Sequence, residues 1–208
     1  VVRDLELSMD QLWMMFEHKV RKNVKKAQRA GILVEHDEGE RLESFLSIYQ
    51  HTMDRRDAHE RYYFPREYFE RLHATLPGQF RYFHAIREGS VLSTELVLVS
   101  SENVYSFLGG TREDAFEHRP NDILKHAIMD WAVSQGKRHF VLGGGYAPDD
   151  GIFRYKLAFA PDGRRPFYVG RRILLPAAYA RLVERRTLLR REHEDAPSSS
   201  GFFPAYRG

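Results

Sequence analysis

The amino-acid sequence predicts an α/β fold in which a mixed sheet is flanked by helices on both faces. Three stretches carry that expectation. Phe80 to Arg87, Val91 to Ser100 and Val104 to Leu108 are β-rich runs separated by Glu88-Gly89-Ser90 and Ser101-Glu102-Asn103, both suited to hairpin turns, so they predict three antiparallel strands. Ile123, Leu124, Ala127, Ile128, Trp131 and Ala132 then recur at helical spacing and end at Gly136. His139 to Leu142 follows as a short apolar strand, which makes Val104 to Leu142 a βαβ unit with its two strands parallel. With 208 residues, 42% of them hydrophobic and 13% aromatic, the chain can bury one sizeable core, and 29% charged residues is not the composition of a disordered segment.

The other elements follow in chain order. Ser8 and Gln11 form a capping box, and Leu12, Phe16, Val20, Val24 and Ala27 recur every three to four residues up to Gly31, which predicts one helix with its C-terminal stop. Ile32 to Glu35 reads as a short strand, Leu42, Phe45, Leu46 and Tyr49 mark a helix running toward Met53, and a shorter helix follows Pro65. Gly109 to Arg119 is a polar loop. Beyond Gly143-Gly144-Gly145, Ile152 to Phe159 is expected to be helical and Phe167 to Leu175 extended. Pro176 suits a first helical turn, and its helix runs to about Glu194 with Arg181, Arg185, Arg186, Arg190 and Arg191 on the polar side. Residues 1–195 are thus expected to form one domain with an N-terminal basic helix. Residues 196–208 comprise a linker, Ala196 to Gly201, and an aromatic tail, Phe202 to Tyr206, that must dock to avoid exposure.

Composition narrows the chemistry. No run approaches the ~18 apolar residues of a membrane span and no secretory leader opens the chain, so a cytoplasmic location is expected; the first residue is Val, as in a processed or excised product. The absence of cysteine removes disulfides, thiol nucleophiles, thiolate zinc sites and iron–sulfur clusters. Ten histidines include no HExxH and no pair at i and i+4, so no metal is expected. GxSxG, GxxxxGK[ST] and GxGxxG are also absent, which argues against serine hydrolysis, nucleotide hydrolysis and dinucleotide redox chemistry. Net charge is only +3, yet His18 to Val34 holds Lys19, Arg21, Lys22, Lys25, Lys26 and Arg29 with no acidic residue. Like charges at i,i+4 repel by a few tenths of a kcal/mol per pair, a cost that an anionic partner relieves.

The order strand, polar loop, helix from Val104 to Gln135 resembles the acyl-transfer fold of the GNAT type. That resemblance implies a glycine-rich loop whose backbone N–H groups wrap the pyrophosphate of acetyl-CoA. Here the corresponding stretch is Arg119-Pro120-Asn121-Asp122. Proline removes a donor, Asp122 adds negative charge near the helix N-terminus, and no glycine lets the backbone close around phosphates. CoA is therefore not the expected donor, and no cofactor is expected.

Several short motifs, in order along residues 12 to 207, resemble the Fem-type peptidoglycan aminoacyltransferases. They are Arg21-Lys22-Asn23-Val24-Lys25-Lys26-Ala27 before Gly31, Leu108-Gly109-Gly110-Thr111, Pro120-Asn121, Leu142-Gly143-Gly144, Phe153-Arg154-Tyr155-Lys156 with Phe159, and the tail Phe203-Pro204-Ala205-Tyr206-Arg207. Fem-type enzymes carry two GNAT-like domains and this length accommodates about one, so a C-terminal portion or a divergent single-domain relative is expected. The resemblance implies transfer of an activated acyl group, typically aminoacyl from tRNA, to an amine of an anionic cell-wall precursor peptide. It places substrate binding at Arg21, Lys22, Lys25, Lys26, Gly109, Gly110, Asn121, Gly143 and Gly144. An acetyl-CoA-dependent N-acetyltransferase and a non-catalytic RNA- or anion-binding module are the alternatives.

Amine attack on an ester carbonyl builds negative charge on oxygen, and one fixed donor there is worth roughly 3 kcal/mol. Lys156, between Tyr155 and Leu157, is the candidate cation, since partial burial would strengthen its field. Asp149 or Asp150 is the candidate acceptor for the proton of the amine.

Overall fold

The computed structural model describes residues 1–147, 149–192 and 202–207. Six strands form one sheet in the order β1 (Val2–Asp4), β6 (His139–Val141), β5 (Asn103–Thr111), β4 (Ser90–Val99), β3 (Phe80–Arg87), β2 (Leu33–Asp37). Every neighbouring pair is antiparallel except β5 and β6, which are parallel, so the mixed α/β sheet and its βαβ unit are as expected. The helices are α1 (Met9–Met15), α2 (His18–Arg29), α3 (Leu42–Arg55), α4 (Arg66–Thr75), α5 (Pro120–Ser134), α6 (Gly151–Leu157) and α7 (Pro176–Glu192).

Strand alternation feeds two hydrophobic layers. Phe83, Ala85 and Val97 join Val20, Val24 and Ala27 of α2 and Leu124, Ile128 and Ala132 of α5 on one face. Phe80, Tyr82 and Leu96 join Phe45 and Tyr49 of α3 and Phe69 and Leu72 of α4 on the other. The expected meander and central helix thus occur with helices on both faces.

Two local expectations are corrected. The single helix up to Gly31 is broken into α1 and α2, because Phe16 (ψ 146°) and Glu17 (ψ 148°) are extended. Tertiary hydrogen bonds replace the intrahelical ones there. Glu17 N–H donates to the Ala158 carbonyl (2.9 Å), and the Arg21 guanidinium donates to the carbonyls of Met14 (3.0 Å) and Phe16. Leu12, Phe16, Val20, Val24 and Ala27 nevertheless all reach the core, which is what their spacing encodes. Phe167 to Leu175 is not a strand. The edge of β6 is instead occupied by β1, with Val2 paired to Val141 and Asp4 to His139.

The chain separates into two compact units, Val1–Arg165 and Pro166–Gly208. The first contains the whole sheet. In the second, Tyr179 of α7 stacks on Phe203 (centroids 6.0 Å apart), meets Tyr206 edge-on (5.7 Å) and accepts the Ala205 N–H on its hydroxyl (3.0 Å). The aromatic tail therefore docks within its own unit. The expected linker, Ala196 to Gly201, and the expected domain end at residue 195 lie outside the described residues.

Candidate active site

The parallel pairing of β5 and β6 is short, and its end makes the cleft. Asn103, Val104 and Tyr105 pair with His139, Phe140 and Val141. Beyond them β5 continues to Thr111, while the other chain leaves the sheet through Leu142 and turns at Gly143, whose φ of +80° suits glycine. The gap is a cleft of about 900 Å³, bounded by β5, the C-terminal turn of α3, the first turns of α5, and α6 with its preceding loop. Glycine shapes its wall where a side chain cannot fit. A Cβ on Gly109 would sit 2.7 Å from the Thr94 carbonyl, and one on Gly110 would sit 2.5 Å from Thr52 Oγ1 and 2.8 Å from the Ile48 carbonyl.

A buried ion pair forms the floor. Lys125 Nζ of α5 donates to Glu95 Oε1 of β4 (2.5 Å) and to Ser106 Oγ of β5 (2.8 Å), and Glu95 and Lys125 are 3% and 5% exposed. The register partner of Glu95 is Gly109, so no side chain opposite it covers the pair. Beside the floor, Asn121 Nδ2 donates to the Tyr155 hydroxyl (2.9 Å), and Asn23 Nδ2 of α2 donates to buried Asp122 (3.1 Å). Burial raises the carboxyl pKa of Asp122. Burial together with the charges of Asp122 and Glu95 pushes the Tyr155 phenol well above its usual range, which keeps it protonated.

Lys156 stands at the mouth of the cleft. Its Nζ donates to the Gly144 carbonyl (2.7 Å), which leaves two of its three donors for other partners. Burial, reinforced by Lys125, lowers its pKa, so the ammonium is less solvated than a surface lysine. The Asp150 carboxylate fixes the loop beneath it: it accepts the backbone N–H groups of Tyr146 (2.7 Å), Ala147 (3.1 Å) and Phe153 (2.7 Å), the last as the N-cap of α6. Those bonds hold the carboxyl below its ordinary range and make it a weak base. Asp149 pairs with Arg164 at the surface. Neither residue suits the proton-acceptor role expected of it.

The site residues expected from the sequence divide into two groups. Lys156, Gly109, Gly110 and Asn121 line the cleft, and Gly143 and Gly144 form the turn that opens it. Arg21, Lys22, Lys25 and Lys26 do not line it, because Val20, Val24 and Ala27 bury the opposite face of α2. Arg21 caps α1, Lys25 lies over the Trp13 ring (5.9 Å), and Lys22 and Lys26 are exposed. The sequence reading missed Glu95 and Lys125. Their signal was present as a carboxylate inside the β-run Val91 to Ser100 and a lysine inside the apolar stripe of α5. It also missed Arg55, Arg56 and Arg119, which line the cleft at its rim.

A second cavity, of about 750 Å³ along the outer side of α3, holds no lysine. Its arginines are paired, Arg41 with Glu35 (2.6 Å) and Arg112 with Asp114 (2.5 Å). Among the described residues no cluster of His, Asp or Glu could hold a metal ion, and no helix is long and apolar enough to cross a membrane.

Comparison with known proteins bears on the family and the fold. The family model described as acetyltransferase (GNAT) domain matches residues 15–157. No curated protein sequence matches the chain. Among solved structures, FemX aligns with a TM-score of 0.66 at 17% identity over 76% of this chain, and the chain spans 57% of FemX. An aminoglycoside acetyltransferase, meta-AAC0020 from an uncultured soil metagenomic sample, aligns with a TM-score of 0.53 at 13% identity, covering 69% of this chain and 97% of that one. AAC(6')-Iy in complex with the bisubstrate analogue CoA-S-monomethyl-acetylneamine aligns with a TM-score of 0.51 at 12% identity, covering 68% and 99%. At these identities the likeness is one of fold.

Proposed function

Because this chain belongs to the acetyltransferase (GNAT) domain family of N-acyltransferases, we propose that its cleft transfers an aminoacyl group from aminoacyl-tRNA to an amine of an anionic acceptor such as a cell-wall precursor peptide. The observation that carries this choice of donor is the first turn of α5. Pro120 occupies the first helical position without an N–H, Arg119 ahead of it is in the left-handed region (φ +60°), and the Asp122 carboxylate is buried within the turn. A pyrophosphate needs open N–H groups there and no buried carboxylate. The ribose ester at the end of an aminoacyl-tRNA needs neither.

In this reading Lys156 meets the negative charge that develops on the carbonyl oxygen, with its stem held by α6 and one donor anchored on Gly144. Lys125 is neutralised by Glu95 and holds β4, β5 and α5 together beneath the reacting groups. Gly109 and Gly110 keep the β5 wall low enough for a carbonyl to approach. Arg55, Arg56 and Arg119 at the rim attract the phosphates of donor or acceptor, and the exposed cations of α2 extend that field outside the cleft.

Thermal shift with aminoacyl-tRNA, a UDP-linked muropeptide and acetyl-CoA tests the assignment, since selective binding to the folded state raises stability by mass action. Stabilisation by tRNA and muropeptide is expected. Strong stabilisation by acetyl-CoA alone would replace the donor with CoA and leave the acyl-transfer chemistry in place.

A further inference from the structure

The two units differ in charge and in how they treat apolar side chains. Residues 166–208 carry eight arginines, no lysine and four carboxylates, a net +4, whereas the whole chain carries only +3. Val1–Arg165 are therefore net −1, even with the cations of α2 included. The first unit stacks its apolar side chains in two buried layers. In the second, Phe167, Tyr168, Val169, Ile173, Leu174 and Leu175 are all exposed, Phe167 at 90%, Tyr168 at 83% and Leu174 at 75%. They lie within nine consecutive residues that form neither helix nor strand, and Arg171 and Arg172 stand between the two apolar triplets. The aromatic tail that docks on Tyr179 leaves these side chains uncovered. α7 continues the pattern: Arg181 and Arg185 are exposed one turn apart, and the same helix exposes Leu182, Leu188 and Leu189. Among the described residues, Arg172, Arg181 and Arg185 enter no ion pair.

Each half of this surface excludes a different partner. An RNA engages guanidinium groups but leaves the aliphatic side chains of Val169, Ile173, Leu174 and Leu175 in water. A second copy of the unit would cover the apolar groups but set like charge against like charge. An anionic bilayer takes both, because the boundary between headgroups and acyl chains accepts apolar side chains while its phosphates pair with guanidinium groups.

We propose that residues 166–189 bind the surface of an anionic phospholipid bilayer. Phe167, Tyr168, Ile173 and Leu174 enter the boundary region, and Arg172, Arg181 and Arg185 hold lipid phosphates. The contact is peripheral, since no helix among the described residues is long and apolar enough to cross a membrane. Buried apolar area and electrostatic attraction add in such a contact, so loss of either part weakens it. The proposal goes beyond acyl transfer in the cleft and stands or falls without it.

Co-sedimentation of the full chain with vesicles tests it. Binding is expected to vesicles of equimolar phosphatidylcholine and phosphatidylglycerol, with little to phosphatidylcholine alone, and salt should release it. No binding to the anionic vesicles, or equal binding to both kinds, would overturn the proposal. Arg172→Gln/Arg181→Gln/Arg185→Gln and Phe167→Ser/Leu174→Ser should each lower partitioning on the order of a hundredfold at a native melting temperature, since all five side chains are exposed. Native partitioning in either variant would overturn it. The chain has no cysteine, so Tyr168→Cys carries a single environment-sensitive dye whose emission reads the contact in a chain otherwise unaltered. A blue shift on anionic vesicles, quenched by nitroxide-labelled lipid, is expected. An unshifted dye on sedimented protein would move the contact to another surface such as α2, and a dye shifted by bulk tRNA but not by vesicles would make this an RNA surface. Self-association without lipid that Phe167→Ser/Leu174→Ser abolishes would give the face to a second copy; each of these three results would overturn the proposal.

Discussion

The cations of α2 and the lysines of the cleft are chemically alike and differ in surroundings. Arg21, Lys22, Lys25 and Lys26 crowd a helix of 12 residues, and apart from Arg21 they face water or the half-buried Trp13 ring. Lys125 and Lys156 are single lysines in apolar stretches, and both are partly or wholly withdrawn from solvent. Water screens a surface charge, whereas a desolvated one acts at several times the strength on whatever approaches. Charge density in a sequence therefore marks a long-range field, and the cleft lysines are found where one lysine interrupts a hydrophobic pattern.

Replacement of Lys125 offers the strongest way to break this contrast. Lys125→Met leaves Glu95 buried without its partner and should destabilise the fold by about 3–5 kcal/mol, read by urea denaturation. The double variant Glu95→Leu/Lys125→Met should recover most of that loss. Native stability in the single variant would show that the floor is not held by this pair.

Lys156→Met comes next. Methionine keeps most of the aliphatic stem, so the fold and ground-state binding should change little while the chemical step falls on the order of a hundredfold. Single-turnover rates with an active acyl donor read this, and Lys156→Arg should rescue only in part because its planar fork presents donors elsewhere. Turnover preserved at saturation with binding lost would make Lys156 a substrate anchor instead.

Charge reversal on α2 sharpens the other side of the contrast. Lys25→Glu with Lys26→Glu should leave the melting temperature nearly unchanged, weaken tRNA binding several-fold and flatten its salt dependence. Affinity unchanged at low salt would reduce this helix to a solvated face.

The smallest effect concerns pH. The native pKa of Asp122 is raised, so the folded state holds its proton more tightly than the unfolded chain. Stability should fall as pH rises from the ordinary carboxylate range, near 4, through the native pKa, and Asp122→Asn should remove that fall. Melting temperatures between pH 4 and 7 measure it.

Much of the fold is legible in the residue pattern, for reasons that the exceptions make plain. The meander from Phe80, the helix after Pro120 and the strand at His139 each carry enough apolar residues at one period to specify themselves. β1 has three residues with buried Arg3 at its centre, paired to Asp162 (2.9 Å), so no periodicity announces it. The division of α1 from α2 depends on hydrogen bonds from Glu17 to Ala158 and from Arg21 to α1. A window of sequence contains no record of the first of these, because its partner is more than a hundred residues away.

The site divides along the same line. Lys156, the glycines at 109–110 and 143–144 and Asn121 could be singled out because they lie in short motifs with local meaning, and each borders or shapes the cleft. The pairing of Glu95 with Lys125, like the withdrawal of the α2 cations from the cleft, is settled by which faces of β4, α5 and α2 turn inward. Periodicity is a property of neighbouring residues and can be read along the chain; the pKa and reach of a charged group depend on what distant segments place around it. For this protein the elements and the charge of its candidate lysine belong to the first kind, and the floor of the cleft to the second.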